Sequence, residues 1–371
     1  MKLHGYGVEG RLLKWIEDFL RGRRQKVSVN GSTSNWASVH SGIPQGSVLG
    51  PVLFVIYIND MPEVTSSISQ LFADDTKVFR PVHSPDDQEI LQKDLDNLVE
   101  WSENWQLRFN ASKCKVLHIG KNNPQYEYSM KSGDKRQKLD NTDLEKDLGV
   151  NIDPLLKFST HIERQVNKAN SILGLIRRSY EFLDAVSMKS LYIALVRPHL
   201  EFSNVAWAPR LERDKNLLES VQRRATKLIP EYKDLEYEDR LRRLNLPSLR
   251  YRRARGDMIE VYKYTHGKYT VNENLLSMNT SVTRGHSYKL EKVRCNTSLR
   301  QNFFNCRVVE SWNRLPDSVV TAPSITSFEA RLDKVWHQHK YATDLKFPLA
   351  PQKISTFEIT SDDSRDHLTS L

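Results

Sequence analysis

Phe72-Ala73-Asp74-Asp75-Thr76 sets two carboxylates side by side between two β-prone runs, residues 68–73 and 76–82. The spacing predicts a tight hairpin with both acids at its tip. Like charges this close repel unless a proton or a cation neutralises them, and a divalent metal ion does so. Phosphoryl transfer by two metals needs carboxylates that hold ions about 3.5–4 Å apart, one activating the attacking oxygen and the other stabilising the leaving one. Read alone, the pair also fits a solvated turn, which is what most Asp-Asp dipeptides are. The sequence around it has to decide.

Upstream, Gly42-Ile43-Pro44-Gln45-Gly46-Ser47-Val48-Leu49-Gly50-Pro51 is punctuated by glycine and proline and runs into an almost wholly apolar stretch, 48–58. A loop feeding a buried helix is expected, although a strand fits its latter half. The glycines leave backbone without Cβ where a substrate approaches, and the Gln45 amide suits a base or sugar. A serine-capped helix entry would look the same. Earlier still, Leu12, Leu13, Ile16, Phe19 and Leu20 recur at helical spacing with Gly22 beyond, and Asn30-Gly31 turns a hairpin that begins at Lys26 and returns through Trp36 and Val39.

Downstream, Ser84-Pro85-Asp86-Asp87 opens a helix with a capping serine, a proline in the first turn and acids beside it. Leu91, Leu95, Leu98 and Trp105 mark one face of that helix, 110–113 turns the chain, and 114–119 reads as a strand. Hairpin, helix and strand make half of a ferredoxin-like α+β layer. Beyond about residue 155 the pattern is helical: Ile162, Val166, Ala169, Leu173 and Ile176 step by four and three, and Leu218, Val221, Ala225 and Leu228 do nearly the same. A boundary is expected near Pro154. From 346 onward, aperiodic polar residues predict a disordered tail.

The chain carries 55 Lys+Arg against 46 Asp+Glu, a formal charge of +9 that suits a polyanionic partner only if the cations cluster. They do so between Arg240 and Arg255. Arg240, Arg242, Arg243, Arg250, Arg252, Arg253 and Arg255 occur there without an intervening acid, interleaved with leucines and Tyr251. The run reads as a phosphate-tracking stripe or as a solvated helix face, and Arg223, Arg224 and Lys227 are candidates to extend it. The three cysteines, Cys114, Cys295 and Cys306, cannot all pair and lack zinc-site spacing, which points to a reducing compartment. The longest apolar stretch, 52–58, falls far short of the ~20 residues that span a bilayer, and no signal-peptide core opens the chain, so an intracellular, soluble protein without a membrane partner is expected. Nothing in the sequence sets an oligomeric state.

The loop 42–51, then Tyr57-Ile58-Asn59-Asp60, then Phe72-Ala73-Asp74-Asp75-Thr76, in this order and separation, resembles the reverse transcriptases of non-LTR, LINE-like retrotransposons of the jockey and CR1 kind. Arg21-Gly22-Arg23-Arg24-Gln25-Lys26-Val27 is similar to the family's strand before the palm loop, Asn110 with Lys113 to its next palm motif, and Leu148-Gly149-Val150 to its primer grip. Ser311-Trp312-Asn313-Arg314-Leu315-Pro316 is similar to the end of such elements.

The resemblance implies an α+β right-hand polymerase. A ferredoxin-like palm with partial fingers would occupy 1–154, a helical thumb-like domain 155–265, and the C-terminal region of the element protein 266–345, with the tail at 346–371. It implies Asp74 and Asp75 as ligands of Mg²⁺ or Mn²⁺, with Asp74 the closer. Gln45 and Gly46 would line the nucleotide and template pocket, and Lys113 would face the triphosphate, although a solvated lysine after a turn is an equal reading of that position. Element RNA as template, a DNA primer and deoxynucleoside triphosphates are the implied partners, in nucleus and cytoplasm.

One departure bears on activity. The family carries another metal-binding aspartate on a strand shortly before the equivalent of residues 2–7, and no acid precedes Glu9 in this sequence. An N-terminally truncated, catalytically poor copy is therefore expected. The competing reading is a non-catalytic nucleic-acid-binding remnant of a mobile element; an intron maturase shares the palm but matches 48–62 less well.

Overall fold

A computed structural model describes residues 2–271, 275–279 and 285–345, so the expected disordered tail at 346–371 lies outside them. By contacts the chain divides into two units, Met1–Asp143 and Leu144–Leu371. The division expected near Pro154 falls inside the second unit, because the strands at 145–152 contact the helix that follows them.

The first unit is organised by one long helix. The short α1 (Lys2–Gly5) and α2 (Gly10–Leu20) precede two small ladders, β1 (Arg24–Gln25) with β4 (Ala37–Ser38) and β2 (Ser28–Val29) with β3 (Ser32–Thr33). The turn at Asn30-Gly31 has positive φ at both residues, as a two-residue hairpin requires. After the loop comes α3 (Leu49–Ile58), then the hairpin β5 (Ile68–Phe72) and β6 (Asp75–Phe79), then α4 (Pro85–Asn104). The start of α4 is the predicted one. Ser84 and Asp87 cap each other reciprocally around Pro85, satisfying amides that the first turn leaves without partners.

Two small cores flank α4. On one side Leu98 and Trp101 join Ile58 and Met61, with Leu71 and Val78 of the hairpin packed against them. On the other, Val99 meets Ala111, Tyr128, Met130 and Leu139. That second core includes the hairpin β8 (Ser129–Ser132) and β9 (Lys135–Lys138), whose edge is held by Gln92: its amide exchanges two hydrogen bonds with the Ser129 backbone, at 2.8 and 2.9 Å.

Two expectations fail here. The apolar stretch 48–58 is helical but not buried throughout: Gly50, Leu53 and Ile58 face inward while Val48, Val52 and Val55 are exposed. The expected strand 114–119 shrinks to β7 (Lys115–Val116), which pairs with β10 (Asp140–Asn141). Among the described residues every sheet has two strands, so the ferredoxin-like layer is not assembled.

The second unit opens with β11 (Glu145–Asp147) and β12 (Val150–Ile152), joined by a turn at Leu148 and Gly149, both with positive φ. Seven α-helices follow through 265, beginning with α5 (Ser159–Ser179), whose predicted stripe of Ile162, Val166, Ala169, Leu173 and Ile176 is fully buried. Then come α6 (Ala185–Leu191), a π-helical turn at Tyr192–Val196, α7 (Arg197–Glu201), α8 (Asn204–Trp207), α9 (Glu212–Lys227), α10 (Tyr237–Leu244) and α11 (Leu249–Thr265). Pro198 explains the π turn: without an N–H it cannot donate to the Ala194 carbonyl, and the helix widens just ahead of it. Helix α11 belongs to two cores, Leu249 to that of the preceding helices and Tyr251, Ala254 and Met258 to one built with Trp312, Phe328 and Trp336. Residues of 266–345 thus share a core with α11.

His161 of α5 is buried edge-on to Trp207, 5.1 Å between ring centres, and accepts the Asn151 amide N–H on Nδ1 at 3.2 Å. That geometry requires the neutral ring, and burial pushes its pKa from 6.5 to about 4. Between those values the unfolded chain binds the proton that the folded chain refuses, so stability falls as pH is lowered through this window. His161→Gln should remove part of that decline, with melting temperatures measured from pH 7 to 4 as the readout; a variant as acid-sensitive as the parent would refute it.

Candidate active site and nucleic-acid interface

The hairpin's turn lies one residue earlier than the sequence suggests. Phe72 pairs with Asp75, so the two-residue loop is Ala73 and Asp74, and Asp75 begins β6. Ala73 has φ of 50°, the left-handed conformation that a tight hairpin demands at this position. Alternation follows from the pleat: Ser69, Leu71, Thr76 and Val78 turn inward, and Gln70, Phe72, Asp75 and Lys77 outward. Asp74 and Asp75 are exposed, and no hydrogen bond or ion pair from another described residue meets either carboxylate.

The base of the hairpin is clamped. Asp94, buried on α4, accepts the amides of Ser66 and Ser67 on its two oxygens, both at 2.8 Å, and the Ser66 hydroxyl at 3.2 Å. Asn97, three residues further along α4, donates to the Val64 carbonyl at 3.0 Å. Burial alone would push the Asp94 carboxyl up, but the hydrogen bonds from Ser67 and Ser66 outweigh it and hold the group below the usual carboxylate range.

Gln45 and Gly46 are exposed in the loop ahead of α3, with Gly46 at φ of 80°. The loop folds onto the helix start: Ser47 Oγ donates to the Pro44 carbonyl and receives the Gly50 amide, at 2.7 and 3.0 Å. A Cβ on Gly50 would stand 2.8 Å from that hydroxyl. Arg23 steadies the other end by donating to the carbonyls of Ser41 and Gly42, at 3.3 and 2.5 Å. Lys113 is exposed on the turn after α4, and no hydrogen bond or ion pair joins its ammonium to the aspartates among the described residues.

Asp60 has a partner that the sequence did not suggest. Its carboxylate takes the Lys2 ammonium at 2.6 Å and the Trp101 indole N–H at 3.2 Å, while Lys2 also donates to the Tyr57 carbonyl and stands over the Trp105 ring at 3.7 Å. In the sequence Trp36 likewise reads only as part of a strand. It is exposed, with the cations of Arg24 and Lys26 at 5.6 and 5.2 Å from its ring centre, an aromatic surface beside positive charge of the sort on which bases stack. From Phe19 to Asn59 the sequence contains no acid, and that was the available signal.

The arginine run is not one exposed stripe. Arg250 is buried on Glu212 and Asn216, at 2.7 and 2.8 Å; Arg252 grips Glu201 with two nitrogens; Arg255 holds Asp333 at 2.7 Å and Glu329 at 3.3 Å. Arg240 and Arg253 are buried, Arg240 near the Tyr237 ring and Arg253 in the field of Glu219, Glu201 and Asp257, with burial pushing both guanidinium pKa values down. Arg242 pairs with Asp239 and Glu238 on its own helix. The acids that neutralise these cations come mostly from α7, α9 and the helix Ile325–Val335, and were invisible in a window from 240 to 255. Arg243 is exposed, as are Arg223, Arg224 and Lys227 on α9.

The first unit thus carries a glycine-rich loop ahead of α3 and a hairpin with two carboxylates at its tip that no other described residue neutralises. Residues 2–167 match the reverse transcriptase (RNA-dependent DNA polymerase) family. Over 156 residues the chain is 33% identical to the RNA-directed DNA polymerase from mobile element jockey of Drosophila melanogaster, covering 40% of this chain and 17% of that protein. Over 230 residues it is 27% identical to the probable RNA-directed DNA polymerase from transposon X-element of the same species, covering 58% and 24%. A third relative, from transposon BS, is 23% identical over 233 residues, 25% of its length. The chain thus spans a quarter or less of the length of these relatives.

Asp94→Ala tests the clamp. It leaves the Ser66 and Ser67 amides without an acceptor inside the fold and should cost about 2 kcal/mol at neutral pH. Since the folded carboxyl titrates below its unfolded value, the part of the difference that the ionised carboxylate supplies is complete above the unfolded value and is lost as pH falls through the folded one. Denaturant titrations at both ends of that range measure it.

Proposed function

We propose that this chain is part of an RNA-directed DNA polymerase of a non-LTR mobile element, copying element RNA from a DNA primer with deoxynucleoside triphosphates, in nucleus or cytoplasm. The observation that supports it best is the exposed, unneutralised Asp74–Asp75 pair on a hairpin whose base is rigidly clamped. In this reading Met1–Asp143 supplies palm and partial fingers, the helices through 265 a thumb-like domain, and 266–345 the element's C-terminal region.

The two hard carboxylates suit Mg²⁺ or Mn²⁺, which when bound supplies the charge that orients attack and leaving oxygens in two-metal transfer. Asp74 and Asp75 would hold it, Gln45 and Gly46 would border the nucleotide and template, and Lys113 would offset charge on the departing pyrophosphate. Among the described residues no group of three or more His, Cys, Asp or Glu side chains is placed to hold a metal ion. In this reading two carboxylates alone would hold the ion weakly; the second reading is a chain that binds nucleic acid without copying it.

Calorimetry should show weak Mn²⁺ binding that Asp74→Ala with Asp75→Ala abolishes; equal titrations would make the pair an ordinary turn. Primer extension on an RNA template should be absent for residues 1–371 with Mg²⁺ and present for a longer polypeptide that supplies a third carboxylate. Efficient extension by the shorter chain, lost in Asp74→Ala, would require a substitute ligand within it.

Phosphate contact is assigned to the exposed cations Arg223, Arg224, Lys227 and Arg243, with Arg242 at their border. Replacing Arg223, Arg224 and Lys227 with glutamine should flatten the log–log salt dependence of duplex binding by roughly 0.9 per lost contact. Replacing Arg250, Arg252 and Arg253 should instead lower the melting temperature, because it strands Glu201 and Glu212. The opposite pattern would return the phosphate track to α11.

A further inference from the structure

Two of the cysteines, eleven positions apart, meet in space: the Sγ atoms of Cys295 and Cys306 are 3.3 Å from each other. Both are half-buried and neither is bonded to another sulfur. The chain between them is fastened on each side. Thr297 caps the short helix α12 (Ser298–Gln301), the Ser298 hydroxyl takes a hydrogen bond from Arg210 at 2.9 Å, and the Gln301 amide reaches back to the Cys295 carbonyl at 3.4 Å. Beyond it, Phe304 is buried in the core around Trp312, and the Cys306 amide donates to the Phe303 carbonyl at 2.9 Å. The two thiols are therefore presented to each other by a folded segment, not brought together by a chance rotamer.

We propose that Cys295 and Cys306 form a reversible intramolecular disulfide by exchange with a small disulfide of the glutathione class. The Cys295 thiolate attacks one sulfur of the small disulfide; a Cys295–glutathione bond forms, the sulfur–sulfur bond breaks, and the first glutathione leaves as a thiol with the proton Cys295 gave up. Cys306 then loses its proton and attacks Cys295 Sγ, expelling the second glutathione as a thiol. The protein dithiol is oxidised by two electrons and the small disulfide is reduced to two thiols. A disulfide is about 2.05 Å long, so the sulfurs have little more than 1 Å to close. Burial and the neighbouring Cys295 push the Cys306 thiol up, so at neutral pH it waits as the resolving thiol while Cys295 is first to react. Cys114, raised by burial and near no other thiol among the described residues, is an internal control.

The test uses the whole chain of 371 residues. The folded protein is treated with oxidised glutathione, free thiols are blocked with a maleimide, and tryptic peptides are read by mass spectrometry. Arg300 places the two cysteines in separate peptides, 295–300 and 301–307. A linked pair of these peptides that dithiothreitol releases, with Cys114 carrying the maleimide, is the expected result, formed at least about tenfold faster than in denaturing urea. Cys306→Ser should trap glutathione on Cys295 well above the level on Cys114. Maleimide or glutathione on Cys295 and Cys306 at the level found on Cys114, or linking at the same rate in urea, would overturn the proposal.

Discussion

The first unit depends on a buried carboxylate that is fully satisfied. Asp94 is taken out of water, a cost that several hydrogen bonds to the ionised form must offset. The amides of Ser66 and Ser67 supply them from both oxygens, and because α4 carries the acceptor, the start of the hairpin is fixed to the longest rigid element of the unit. The pleat then does the rest. From a fixed Ser67, alternate residues must face Leu98 and Trp101 or solvent, and the tip is reached with Asp75 outward. A slip of one residue would bury Phe72 and Asp75 and expose Leu71 and Val78.

What the sequence made legible was local. Helix α4 was readable from its serine cap, proline and acids, and α5 from a run of apolar positions at helical spacing, because each signal lies within one element. The hairpin was legible too, but its turn was set one residue late, since nothing in an alanine announces a positive φ; the register with Phe72 opposite Asp75 imposes it. The apolar stretch of α3 promised a buried helix, whereas burial depends on how many neighbours surround it, and here only one side of the helix is covered.

The arginines between 240 and 255 show a different limit. A window without acids reads as uncompensated charge, yet Glu201, Glu212, Glu329 and Asp333 reach these cations from distant parts of the chain. A guanidinium with a bidentate carboxylate partner is a structural tie in the interior of the fold, and removing one side leaves the other charged and partly desolvated. The same composition therefore serves opposite ends: on α11 the cations hold helices together, while on α9 their exposure leaves them available to an external anion. Only tertiary pairing separates the two, and pairing is not a property of a sequence window.

Satisfied and unsatisfied acids within one unit then point to where function sits. Asp94, Asp60 and Asp87 each have donors, and each serves as a joint: Asp94 for the hairpin, Asp60 for the N-terminal lysine and its aromatic ring neighbours, Asp87 for the helix cap. Among the described residues Asp74 and Asp75 have none, although the base of their hairpin is tied to α4. Two adjacent anions at a rigid tip are a local conflict that packing could have relieved with a single nearby lysine or arginine. Natural sequences leave such conflicts where something outside the fold is meant to resolve them. In the proposed reading a cation of charge two would resolve this one with the least rearrangement, and the pair, not the larger collection of arginines, would be the chemical site.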